Sequence, residues 1–141
     1  MNDQSAECRE LVPENDLELK LSRIASGRTT FMKAFNFFLN SLVVVLTKPA
    51  GNGAPPEKKP LTLRSPEGEP LVVVFSSGRR TAAVMERHDG YQATVALPAW
   101  QIISGLPKNR GLVVNPGWTV GFTVPPDLLQ KLRKRFRLER K

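Results

Sequence analysis

The sequence predicts a single α/β (α+β) domain, in which a mixed β-sheet of about five to six strands is flanked by helices. Three observations lead to this fold class. The length of 141 residues fits one domain. Apolar residues at helical spacing alternate along the chain with short runs of β-branched residues. Several of these runs are joined by short turn sequences, so we expect antiparallel strand pairs as well as helices on the sheet.

The first part of the chain predicts two helices. Asn15 or Asp16 can cap a helix that runs to about residue 25, with an apolar face formed by Leu17, Leu21 and Ile24. Thr29 or Thr30 can cap a second helix, with an apolar stripe formed by Phe31, Phe35, Phe38 and Leu42. Aromatic residues at this spacing usually pack against a sheet, so we expect the stripe to lie in the core.

The middle of the chain predicts strands. Residues 42–47 are mostly β-branched and apolar, which is typical of a buried strand. Residues 50–60 combine Gly, Pro and Lys without periodicity, which indicates an exposed loop. The next strands, 61–64 and 71–75, are separated by a turn sequence and are expected to form a hairpin. Ser76 or Ser77 can then cap a further helix.

The remaining elements are a strand, a short helix, two more strands and a last helix. Residues 91–97 alternate as a strand with one wet face, and Pro98 begins the short helix. Strands are predicted at 112–114 and 120–124, with a turn at 115–117. The last helix begins at Pro125 or Pro126, and its predicted apolar face is formed by Leu128, Leu129, Leu132 and Phe136.

Charge divides the chain into three predicted regions. Residues 1–22 hold six acidic and two basic residues, whereas residues 131–141 hold seven basic residues and one acidic residue. We therefore expect an acidic flexible tail over 1–13, the folded domain over 14–132 and a basic helix end or tail over 133–141. A basic cluster can attract an anionic partner, although cations are also common in the last turn of a helix.

Several function classes are disfavoured. The longest apolar runs, such as residues 42–46, are far shorter than the roughly 20 residues of a membrane helix. The N-terminus lacks the features of a signal peptide, which favours a cytoplasmic location. Cys8 and His88 are the only residues of their types, so we predict no catalytic, cofactor-binding or metal-binding residue and expect the chain not to be an enzyme.

Two polar turns are candidate binding features. The segment SSGRRT at 76–81 lacks the Walker lysine, but Arg79 and Arg80 could hold an anion. The segment from Asn115 to Trp118 is either a tight turn or a rigid mount for an exposed aromatic anchor. Both segments follow predicted strands and could line one edge of the sheet. The candidate partner-binding residues are therefore Arg79, Arg80, Asn115 and Trp118.

Three segments resemble one known family. They are GLVVNPGWTVGFTVPPDLL at 111–129, PLVVVFSSGRR at 70–80 and PAWQIISGLP at 98–107. Their order and composition are similar to those of the SseB (enhanced serine sensitivity) N-terminal domain, over about residues 14–132. The loop at 50–60, the sequence at 77–80 and the basic tail depart from the pattern. The resemblance implies an interaction module without a catalytic residue, and some small members resemble immunity proteins that neutralise a toxin.

Two functional hypotheses follow. The first is a non-enzymatic protein-interaction module, such as an immunity or accessory protein, that binds a protein partner of unknown identity. The alternative is a nucleic-acid or other polyanion binder that uses the basic C-terminal helix. Its candidate residues are Lys131, Arg133, Lys134, Arg137 and Arg140.

Overall fold

Side-chain caps start both N-terminal helices in the computed structural model, which describes residues 9–48, 60–88 and 90–138. Helix α1 spans Asp16–Ala25, and the Asn15 side chain accepts a hydrogen bond from the Glu18 N–H. Helix α2 spans Phe31–Leu39, and Thr30 caps it through the Lys33 N–H. Cys8, Arg140 and nearly all of the predicted loop at 50–60 lie outside the described residues.

The predicted aromatic stripe is confirmed except at its last position. Phe35 and Phe38 are fully buried, and Phe31 packs partly buried against them. Leu42 is 66% exposed, so its assignment to this stripe was wrong. Helix α2 ends at Leu39, and the change to extended backbone turns the Leu42 side chain away from the helical face.

The six strands are divided between two sheets. They are β1 (Leu42–Thr47), β2 (Thr62–Arg64), β3 (Pro70–Val74), β4 (Ala93–Pro98), β5 (Gly111–Val114) and β6 (Phe122–Val124). Strands β1 and β4 form an antiparallel pair, and the other sheet has the order β2-β3-β5-β6. Strands β3 and β5 are parallel, whereas the other pairs are antiparallel. The predicted mixed α+β architecture is therefore confirmed.

A backbone bridge joins the two sheets. Val44 of β1 and Phe75, which follows β3, exchange two hydrogen bonds of 2.8 Å. A larger core contains Phe35, Phe38 and most buried residues of the helices. A smaller core lies around Leu46 and Phe75. The bridge thus fixes the orientation of β1 relative to the four-stranded sheet.

Two of the later helices differ from the prediction, one in its start and one in its buried face. A 3₁₀ turn at Gly78–Arg80 precedes α3 (Ala82–Met85), so neither Ser76 nor Ser77 caps an α-helix. Helix α4 spans Ala99–Ser104, and α5 spans Pro126–Arg135. Leu128 is 41% exposed, which corrects its predicted place on the buried face of α5. Within the described ranges, no helix is both long and apolar enough to cross a membrane.

Part of the predicted flexible tail packs on the domain. The Arg9 N–H donates to the Gly117 carbonyl, and the Thr119 N–H donates to the Arg9 carbonyl, both at 2.8 Å. The Leu11 N–H donates to the Thr119 hydroxyl, and the Leu11 side chain is only 4% exposed. Residues 9–13 therefore differ from the prediction, because burial of Leu11 and backbone pairing compensate the entropy of ordering them.

Candidate functional site

The candidate partner-binding residues lie at one edge of the four-stranded sheet. Strands β3 and β5 are parallel and adjacent, so the chain leaves both of them at the same edge. Arg79 and Arg80 follow β3, and Asn115 and Trp118 follow β5. We call these four residues the turn cluster. The structure brings them together, as the order of strand ends predicted, but it gives them different surroundings.

A buried ion pair lies beneath this edge. The Glu18 side chain of α1 is fully buried and accepts hydrogen bonds from Arg80 on both oxygens. The Arg80 Nε–Oε2 distance is 2.9 Å, and the Arg80 Nη2–Oε1 distance is 2.7 Å. The Ser76 hydroxyl donates to Oε2 at 2.6 Å, and the Glu14 N–H donates to Oε1 at 2.9 Å. Each carboxylate oxygen thus accepts two hydrogen bonds.

The pKa shifts of the pair follow from these contacts. Burial by itself would raise the pKa of Glu18, but the hydrogen bonds from Arg80, Ser76 and the Glu14 N–H lower it below its ordinary value. The hydrogen bond to Glu18 raises the pKa of Arg80, against the effect of burial. Glu18 is therefore a carboxylate and Arg80 a cation at neutral pH. Both groups therefore keep their charges near neutral pH and do not exchange protons there.

Asn115 joins the ion pair to the turn after β5. Its Oδ1 accepts from the Ser76 N–H, and its Nδ2 donates to the Ser76 hydroxyl and the Val120 carbonyl. Its backbone has a φ of 55°, a left-handed conformation that Asn tolerates better than most residues. The side chain is almost completely buried. The Asn115 side chain therefore holds the turn through hydrogen bonds and presents almost no surface to a partner.

Trp118 is half-buried at the surface of the cluster. The predicted turn is confirmed by a hydrogen bond from the Trp118 N–H to the Asn115 carbonyl. The indole Nε1 donates to the Arg80 carbonyl at 3.0 Å, and the Arg80 guanidinium carbon lies 4.6 Å from the ring centroid. This distance is within the range of cation–π contacts. Trp118 is therefore held by Arg80 and remains partly accessible.

Arg79 is the exposed cation of the cluster. Its side chain is 78% exposed and forms a 3.1 Å ion pair with Glu14. Both residues line an open hollow of about 700 Å³, together with Asn15, Ser77 and Gly78. The Ser77 hydroxyl has no hydrogen-bond partner within the part of the chain that the structure describes. Arg79 and Trp118 thus form the accessible part of the cluster, above buried Arg80 and Asn115.

Sequence reasoning missed Glu18 as a member of this site. A signal was available, since Asn15 and Glu18 occupy the N-cap and third helical positions of a capping box. In a capping box the acid accepts from the N–H of the N-cap residue, whereas Glu18 accepts from the N–H of Glu14, the residue before the N-cap. The partner Arg80 is 62 residues away, so its identity depends on the tertiary fold.

The basic C-terminal residues are not equivalent. Lys131, Lys134 and Arg137 are exposed, whereas Arg133 is 3% exposed. The Arg133 guanidinium donates to the Leu106 carbonyl at 2.9 Å and to the Ser104 carbonyl at 3.4 Å, at the end of α4. Arg133 therefore fastens α5 to α4, and its charge is not presented at the surface.

Comparison with known proteins identifies one family. The family model of the SseB protein N-terminal domain matches residues 17–131, which is most of the chain. Searches of curated proteins and of solved structures found no significant match.

Proposed function

We propose that this chain, which belongs to the SseB protein N-terminal domain family, is a non-enzymatic module that binds a partner protein in the cytoplasm. The observation that carries the proposal is the position of Trp118. It is partly accessible on a turn that the buried Glu18–Arg80 pair holds in place, and exposed Arg79 lies in the same cluster. Tryptophan and arginine are the residues that most often dominate the energy of protein interfaces.

The rigidity of the turn supports a binding role. Binding costs free energy when loops and side chains must be ordered, and a surface that is already fixed avoids part of that cost. Here the indole has two contacts with Arg80, and Asn115 holds the turn through three side-chain hydrogen bonds. The partner would meet an anchor whose conformation is already set.

The chemistry of the buried pair favours binding over catalysis. A general base must reach the proton it removes, and its lone pairs must be available. Glu18 is fully buried, and both of its oxygens already accept hydrogen bonds within the chain. We therefore assign Glu18 and Arg80 a positioning role. Neutralisation of a toxin by stoichiometric binding is one form that this function can take.

A second candidate function is polyanion binding by α5. Lys131, Lys134 and Arg137 are exposed, and no ion pair links them to an acid among the described residues. Contacts of such cations with phosphates would release counterions, so binding would weaken steeply with salt. Arg133 is excluded from this surface by its bonds to α4.

Affinity capture from a lysate of the source cells separates the two candidates. The tagged chain is used at low and at high salt, and bound protein and bound nucleic acid are measured separately. A stoichiometric protein that stays bound at high salt supports the interaction module. Nucleic acid that is captured at low salt and lost at high salt, without such a protein, would contradict it in favour of the second candidate.

A further inference from the structure

The outer edge of β4 has no neighbouring strand among the residues that the structure describes. β4 pairs along its whole length with β1, with Ala96 opposite Val44 and Thr94 opposite Leu46. Within the described ranges, no strand or loop pairs with the other edge of β4. An unpaired edge offers its backbone N–H and C=O groups to another strand.

The bridge between the sheets shows which groups of β4 point outward. Val44 directs both its N–H and its C=O to Phe75, away from β4. In an antiparallel pair, the residue opposite such a position also points its backbone groups away from the neighbouring strand. Ala96 therefore directs its N–H and C=O outward. Thr94 does the same, since the carbonyl of the opposite Leu46 accepts from the Leu61 N–H on the far side of β1.

The side chains of β4 leave this edge accessible. Thr94 and Ala96 are exposed, and β4 carries no charged residue. Val95 and Leu97 are only half-buried, although they pack against the larger core. Natural edge strands are usually protected by charged residues, bulges or covering loops. In β4, only Pro98 at its end has such a protective effect.

We infer that the outer edge of β4 pairs with β4 of a second copy of this chain. In an antiparallel register centred on Val95, Thr94 of one copy lies opposite Ala96 of the other. Each such pair then exchanges backbone hydrogen bonds in both directions, so the edge is complementary to itself under two-fold symmetry. Because β4 is uncharged, the copies meet there without like charges, although each chain has a net charge of +8. β4 contains no residue of the turn cluster.

Ala96→Pro tests the pairing directly. Proline removes the outward N–H and keeps the bonds to β1, since an edge strand tolerates proline where its N–H faces solvent. Sedimentation equilibrium of the full chain, from about 10 μM to about 1 mM, should show a reversible dimer for the wild type. The variant should raise the dimer dissociation constant about tenfold or more. A wild type that stays monomeric throughout, or a dimer that Ala96→Pro leaves unchanged, would overturn the inference.

A pair of double variants tests the register and does not depend on proline being tolerated. Thr94→Lys with Ala96→Lys places like charges opposite each other across the proposed interface. Thr94→Lys with Ala96→Glu places opposite charges there. The second variant should dimerise about tenfold more tightly than the first at low salt. Equal dissociation constants for two folded variants, as judged by circular dichroism, would refute the proposed pairing.

Discussion

The guanidinium of Arg80 contacts the buried carboxylate of Glu18 and lies against the indole of Trp118. It bonds both Glu18 oxygens, and its central carbon is 4.6 Å from the Trp118 ring centroid. One buried side chain thus connects the start of α1 with the turn after β5. A buried charge pair thus positions the partly accessible tryptophan.

Loss of the Glu18 charge should destabilise the fold strongly. Glu18→Gln leaves the Arg80 cation buried without its counterion, and breaking a buried pair in this way costs about 3–5 kcal/mol. The free energy of unfolding, measured in urea, checks this value. Glu14→Gln is the matched control, because Glu14 is 43% exposed and its ion pairs should contribute less than about 1 kcal/mol. Equal losses in the two variants would contradict the role of Glu18.

The same pair should make stability depend on pH. The pKa of Glu18 is lower in the folded chain than its ordinary value of 4.5. As the pH falls, the unfolded chain therefore binds a proton at Glu18 before the folded chain does. The stabilisation is present above about pH 4.5 and is lost as the pH falls through the folded pKa. The stability difference between wild type and Glu18→Gln should therefore shrink below pH 4.5. A difference that is constant from neutral pH to about pH 3 would exclude this linkage.

The indole hydrogen bond should have a small, specific effect. Trp118→Phe keeps an aromatic ring beside Arg80 but removes the Nε1–H donor to the Arg80 carbonyl, which should cost about 1 kcal/mol of unfolding free energy. Trp100→Phe is the control, because Trp100 is 46% exposed and no hydrogen bond of its Nε1 occurs among the described residues. Its loss should be within about 0.5 kcal/mol. Matching losses at the two tryptophans would argue against the positioning of Trp118 by Arg80.

Substitution of two neighbouring cations of α5 should affect stability to different extents. Arg133→Met removes two hydrogen bonds to carbonyls at the end of α4 and should cost about 2–3 kcal/mol of unfolding free energy. Lys134→Met changes an exposed residue and should be nearly neutral. If the chain binds DNA, Lys134→Met should lower the salt slope of binding by about one. An Arg133→Met variant with the unfolding free energy of the wild type would show that Arg133 does not fasten α5.

Local patterns predicted most of the elements. Asn15 and Thr30 cap the helices as expected, because an N-cap is specified by a few consecutive residues. The β-branched runs mark β1, β3 and β5 for the same reason. The division into two sheets could not be read from such patterns. It depends on Val44 pairing with Phe75, which are distant in the sequence.

The candidate site was harder to predict, because charged residues in it are buried. Arg80 and Arg133 were expected to present their charges, yet both bond groups inside the fold. Their burial depends on acceptors far along the chain, at Glu18 and at Leu106. Arginine is usually exposed unless it is paired. Whether it is paired depends on the tertiary fold. The order of the strand ends did predict that Arg79 and Trp118 share an edge.

We propose that partner binding depends on the accessible part of the turn cluster, which Arg79 and Trp118 form. The most direct measurement compares capture of the salt-resistant partner by the wild type, by Arg79→Ala and by the control Arg28→Ala. Both arginines are exposed, so neither change should alter stability by more than about 1 kcal/mol. We predict that Arg79→Ala weakens binding of the partner at least tenfold and that Arg28→Ala does not, since arginines at interfaces are often hot spots. Equal retention of the partner by both variants would contradict a role of Arg79 in binding.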